Sequence, residues 1–226
     1  MMDVVRRWLT TTDSGDMPEP LVDDANETHP IRREEEFAAY TADCRLSGFL
    51  TFEAERLTDA LNAGEEFALD SVMVVALDDG RIFESRTFTV RREELIAVRA
   101  AGPRGNPSRR SRMRPSPVSL KAGPYVIHGY LHAPPGADPL LHIRRRRPMV
   151  PLTGAWIEYE TNGQQHRARV GTILVNRLRI DWIGLSKDTD VRVDLPVETA
   201  VDPRAKDMTG AIRVWHDDIE VEDPDD

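Results

Sequence analysis

Apolar and polar residues alternate along most of the chain with a period of two. Ser71 to Leu77 and Arg81 to Val90 alternate on either side of Asp79-Gly80, and Ala155 to Glu160 and Gln164 to Val175 do so around Asn162-Gly163. Asp-Gly and Asn-Gly suit the positive φ angles of a type I′ turn, so each pair reads as a β-hairpin. Two short stretches follow the helical period instead. Leu57, Ala60 and Leu61 share one face, with Gly64 placed to end the helix, and Asp138-Pro139 offers a capping carboxylate followed by proline at the first helical position.

These signals occur twice in the same order, which makes the chain an internal repeat with an offset that grows from 81 to about 85 residues. Gly48-Phe49-Leu50 falls on Gly129-Tyr130-Leu131, Leu69 on Val150, Asp78-Asp79-Gly80 on Thr161-Asn162-Gly163, and Val90 to Val98 on Val175 to Ile183. About five short strands and one helical turn in some 60 residues predict a small β-barrel, because closure removes exposed strand edges. A unit that small is marginal alone, and two side by side bury more surface per residue.

Breaks in the pattern set the expected organisation. Residues 1–36 are a short N-terminal helix and a disordered acidic arm, 37–100 a first barrel, and 101–120 a basic linker rich in Pro, Gly and Arg. Residues 121–185 are a second barrel, and 186–226 add C-terminal strands, at 191–197 and 211–221, and an acidic tail. The expected fold class is thus mainly β, with two tandem small barrels between disordered acidic ends.

Charge changes the picture. The 226 residues carry a net charge of −9, yet residues 1–80, 81–147 and 148–226 carry −13, +11 and −7. The acidic average hides a basic middle. Arginine outnumbers lysine 27 to 3, which reads as the codon bias of a GC-rich genome and cautions against over-reading any one arginine. A single cysteine, Cys44, allows no intrachain disulfide and no cysteine-based zinc site. There is no secretory signal and no apolar run of membrane length, so a cytoplasmic setting without membrane is expected.

The residues around the repeat resemble a known family. Gly48 to Glu53, then Asn62, then Leu69-Asp70-Ser71, look like a stretched first Sm motif. Val90 to Val98 and Val175 to Ile183 each resemble the second Sm motif. The resemblance covers roughly half the chain, once in each copy, and points to tandem Sm-like (SH3-like) small barrels of an uncharacterised bacterial kind. In Sm-like proteins an asparagine or aspartate of the first motif and an Arg-Gly pair of the second grip an RNA base. Those roles would fall on Asn62, Arg92 and Arg177, but Glu93 and Leu178 stand where glycine belongs.

Candidate chemistry lies mainly in the basic middle. Arg109, Arg110, Arg112 and Arg114 in the linker and Arg144, Arg145, Arg146 and Arg147 in the second copy could meet phosphates, an acidic partner or the protein's own acidic ends. Arg110 and Arg114 also spell the Arg-x-x-x-Arg of cyclic-dinucleotide-binding PilZ barrels, without that family's partner motif downstream. His128, His132 and His142 form the one conceivable metal cluster, but strand spacing puts the first two about 13 Å apart, so no metal is expected. No nucleophile motif or phosphate-cradling glycine loop is present, and no cofactor is expected. Trp156, Trp182 and Trp215 read as barrel core or the seam between barrels. The expected function is a non-enzymatic binding or scaffold protein that acts through a protein partner or self-association. Nucleic-acid binding through the arginines is the alternative.

Overall fold

The computed structural model describes residues 32–100, 113–187 and Val191. All lie in one compact unit, Ile31–Asp226. The first copy contains β1 (Arg33–Tyr40), β2 (Cys44–Phe52), helix α1 (Leu57–Ala63), β3 (Glu66–Ala76), β4 (Ile82–Arg91) and β5 (Ala97–Arg99). The second contains β6 (Arg114–Ala122), β7 (Tyr125–Ala133), helix α2 (Pro139–Arg144), β8 (Met149–Thr161), β9 (Gln164–Asn176), a 3-10 turn (Arg177–Arg179) and β10 (Trp182–Leu185).

All ten strands belong to one open antiparallel sheet in the order β10-β6-β7-β8-β9-β5-β1-β2-β3-β4. The fold is mainly β, as the alternation predicts. The two copies are not the separate units expected: β5 of the first pairs with β9 of the second, Ala97 to Arg99 opposite Val175 to Ile173, so both share one sheet.

The repeat is written into the strand register. Each copy has its fifth strand beside its first, followed by the second, third and fourth. Tyr40 lies opposite Arg45, and Lys121 opposite Val126, an offset of 81 on both strands. Leu50 lies opposite Leu69, and Leu131 opposite Leu152, so Leu69 corresponds to Leu152 and not to Val150. The two-residue difference comes from the connections: one residue is added by the helix and one before the third strand.

Gly48 and Gly129 sit at matching bulges in β2 and β7. A Cβ on Gly48 would stand 3.0 Å from both Asp70 O and Val72 Cγ2, and one on Gly129 3.2 Å from the Cβ atoms of Leu152 and Ala155. The glycines let the bulged strands approach, and the facing residues Ser71 and Gly154 correspondingly take positive φ.

Both short helices fall where expected. Asp138 caps α2 by accepting from Leu140 N and Leu141 N at 2.8 and 3.3 Å. Gly64 ends α1 with its N–H on Ala60 O. The hairpin turns differ from each other. Asn162 and Gly163 both have positive φ, as a type I′ turn requires, whereas in the first copy only Gly80 does and Ala76 N closes on Arg81 O around a longer loop.

Two expected boundaries move. β1 begins at Arg33, inside the presumed acidic arm, because residues 33–36 find backbone partners on β2 from Phe52 to Phe49. β6 begins at Arg114, inside the presumed linker, and runs through Pro115 and Pro117. Pro117 accepts from Ser186 N but has no N–H to return, and β10 ends one residue earlier. The expected N-terminal helix, the rest of the arm and linker and the C-terminal strands and tail lie outside the described residues, save Val191, which is buried.

Two apolar clusters form the core, and each borrows from the other copy. Tyr40, Leu77, Ile96 and Ala97 join the cluster built by the second copy. Met149 and Leu174 of the second copy are packed into that of the first. At the junction the rings of Tyr40, Tyr125 and Tyr159 stand 5.3 to 6.3 Å apart, a spacing favourable for aromatic pairs.

Candidate functional site

The joint between the copies is made from backbone and side chains together. Beyond the β5–β9 ladder, Asn176 N donates to Ile96 O and Ala100 N to Thr172 O, both at 2.9 Å. Asn62 then bridges to the second copy as a backbone mimic: its Nδ2 donates to Met149 O at 3.0 Å and its Oδ1 accepts from Met149 N at 2.9 Å. Asn176, almost fully buried, does the reverse, donating from Nδ2 to Arg92 O and Leu95 O, each at 3.0 Å.

The residues matched to the Sm base grip are thus engaged inside the protein. Asn62 ties the copies together. Arg92 Nη1 donates to Gly64 O at 2.8 Å and Asn62 O at 3.3 Å, which caps the carbonyl end of α1. Its counterpart Arg177 donates from Nε to Arg146 O at 2.6 Å, at the same place after α2. The pair repeats a structural device, and neither guanidinium is presented to solvent as a free clamp.

The predicted arginine cluster converges on one end of the second copy. Arg114 lies opposite Ala133 on β7, and Arg146 Nη2 donates to the carbonyl of the preceding His132 at 2.6 Å. Arg144, Arg145 and Arg147 are exposed around the end of α2. Among the described residues none of Arg114, Arg144, Arg145 and Arg147 forms an ion pair. Burial and then the Arg146 charge push His132 below its ordinary range, and His142 is lowered by burial, Arg146 and Arg145. Arg109, Arg110 and Arg112 lie outside the described residues. Arg114, Ser116 and Asp138, with Pro115, Pro117, Pro134 and Pro139, line an open depression of about 510 Å³.

The corresponding end of the first copy has the opposite charge. Glu53, Glu55, Asp59, Glu65 and Glu66 flank α1 in the sequence, and Arg56 pairs with Asp59 at 2.8 Å. Arg91 pairs with Glu66 at 3.2 Å, and Arg92 lies 3.7 Å from Glu65.

The remaining candidate groups have structural partners. His128 stacks on Trp156 at 4.0 Å and meets Ser119 Oγ through Nδ1, while His132 Nε2 meets Thr153 Oγ1 at 2.7 Å. Among the described residues no cluster of His, Cys, Asp or Glu fits a metal, and no helix is long and apolar enough to cross a membrane. Burial pushes the Cys44 thiol up to about 11. Its alkylation at pH 8 is therefore expected to run about 100-fold slower in the folded chain than in urea, since the thiolate is the reactive form. Equal rates, followed by mass spectrometry, would contradict that environment.

Of the tryptophans, Trp156 is buried as expected. Trp182 is 58% exposed and Leu185 62% exposed, both on β10, with Leu178 just before it 64% exposed. Trp215 lies outside the described residues. An alternating strand pattern says which residues share a face but not whether the strand has a neighbour, and β10 is an edge. Asn176, Met149 and Leu174 went unremarked in the sequence. The signal for Asn176 was a lone amide closing the apolar run Ile173-Leu174-Val175. No family model, no curated protein and no solved structure matches this chain.

Proposed function

We propose that this chain is a non-enzymatic cytoplasmic scaffold that assembles head to tail through its sheet edges, each copy being a small barrel of the Sm-like type. One observation carries the reading. The fifth strand of the first copy is joined to the fourth strand of the second, while the equivalent strands, β10 and β4, end the sheet and, among the described residues, are each paired on one side alone. A joint already used inside the chain is therefore available between chains, with Trp182 to Gly184 of one opposite Val90 to Phe88 of the next.

Such a contact is heterologous, so repetition closes a ring or extends a filament. Edge pairing supplies the backbone bonds, and the exposed Trp182 and Leu185 supply apolar area. The outer joint is weaker than the inner one. Met149 and Leu174, which plug the inner joint, correspond to Glu66 and Thr89, and both of these are exposed. Reversible assembly follows.

The test uses Leu185→Pro. Ala100, its counterpart, donates its N–H to Thr172 O across the inner joint, so the Leu185 N–H is the matching donor on the free edge. Sedimentation of the wild type is expected to show assembly that grows with concentration, and Leu185→Pro to remain a monomer with an unchanged melting temperature. A wild type that is monomeric throughout would overturn the reading.

A second reading rests on the meeting of Arg114 with Arg144 to Arg147 at one end of the second copy. It makes that end a nucleic-acid contact, whose affinity for a single-stranded RNA would fall steeply with salt.

A further inference from the structure

We infer that in the head-to-tail assembly Arg144 of one chain pairs with Glu66 of the next, so that opposite charges stand where the inner joint has the Asn62–Met149 tie. The inference rests on the self-association reading and adds the residues that select the partner edge.

The internal repeat supplies the mapping. Asn62 is six residues after the first residue capping α1, Arg56; Arg144 is six after the residue capping α2, Asp138. The buried residues immediately before them, Leu61 and Ile143, correspond as well. On the other side, Met149 opens β8 and lies opposite Asn176, just as Glu66 opens β3 and lies opposite Arg91. Applying the inner geometry to the outer joint replaces Asn62 by Arg144, Met149 by Glu66 and Asn176 by Arg91.

Each replacement suits a contact that must also survive in water. Asn62 and Asn176 are amides bonded to backbone at the permanent joint. Among the described residues Arg144, which is exposed, has no ion pair, and the Glu66 side chain, 61% exposed, pairs with Arg91 across the strand. Arg91, 60% exposed, stands where Asn176 does and would face the carbonyls of Arg177 and Ile180, the counterparts of Arg92 and Leu95. Around the pair, Arg145 and Arg147 on one side and Glu65 on the other extend the complementarity. Like charges would oppose any contact between two basic ends or two acidic ends, so the charges also enforce head-to-tail order.

Charge reversal separates this pairing from simple edge addition. Arg144→Glu and Glu66→Arg are each expected to weaken assembly about tenfold in sedimentation, and to invert its salt dependence, since each sets like charges at the joint that added salt screens. The double variant Arg144→Glu/Glu66→Arg should restore the assembly, because every joint then carries the pair reversed. Arg144→Gln and Glu66→Gln, with melting curves, guard against effects of misfolding. Single variants that assemble like the wild type, or a double variant no better than the singles, would overturn the pairing while Leu185→Pro still reports on edge assembly. A wild type that never assembles would remove both.

Discussion

Asn176→Ala is expected to cost about 2–4 kcal/mol of folding stability, the largest loss for any single polar side chain outside the apolar core. The amide reaches from the end of β9 into the turn between β4 and β5, where it satisfies Arg92 O and Leu95 O, and its Oδ1 accepts from Leu178 N at 3.1 Å. Water can replace the bond to the exposed Leu178. It cannot reach Leu95 O, and a buried acceptor left without a donor costs about 1–3 kcal/mol beyond the lost bond. Asn176→Asp keeps the acceptor, loses both donors and buries a charge, so it should be at least as damaging. Urea denaturation measures both, and a loss under 1 kcal/mol for Asn176→Ala would show that the tie is dispensable.

Leu174→Ala is expected to cost about 2–5 kcal/mol, the range for emptying a fully buried leucine site. Leu174 belongs to the second copy by sequence but is packed in the core of the first. Its loss should therefore destabilise both copies together, with circular dichroism and tryptophan fluorescence following one transition at the same urea midpoint. Two separated transitions would mean that the copies fold independently. Thr89→Ala is the internal control, since Thr89 occupies the corresponding position on the exposed edge strand β4, and a change within about 0.5 kcal/mol is expected there.

These expectations show where the sequence was informative. Both helices were legible because their signals are local: Asp138-Pro139 caps a helix by its own chemistry, and Gly64 ends one. The repeat was legible for a related reason. A bulge opposite a close strand demands a small residue, so Gly48 and Gly129 mark the same place in both copies. Asp79-Gly80 misled because a positive φ at the glycine alone fits a longer loop as well as a type I′ turn.

The candidate site was less legible. Asn62, Arg92 and Arg177 were singled out as a base grip by resemblance, and their bonds go to backbone carbonyls and amides whose positions depend on how the chain returns. Residue type and spacing cannot distinguish an amide that reads a base from one that reads a neighbouring strand. The arginines of the second copy were visible as a run, and the register added that Arg114 reaches the same end.

What the sequence by itself determined was the strands, the two helical turns, the doubling of the unit and the basic run after the second helix, all set by local periodicity and composition. Only the tertiary structure decided that the two copies share one sheet and exchange core residues, because the pairing of β5 with β9 joins segments some 75 residues apart. That pairing is a matter of backbone hydrogen bonds, which every residue but proline offers equally, so side-chain pattern alone cannot say which edge meets which. The same pairing left β4 and β10 as the edges of the sheet and left Trp182, expected in a barrel core or at the seam between barrels, exposed.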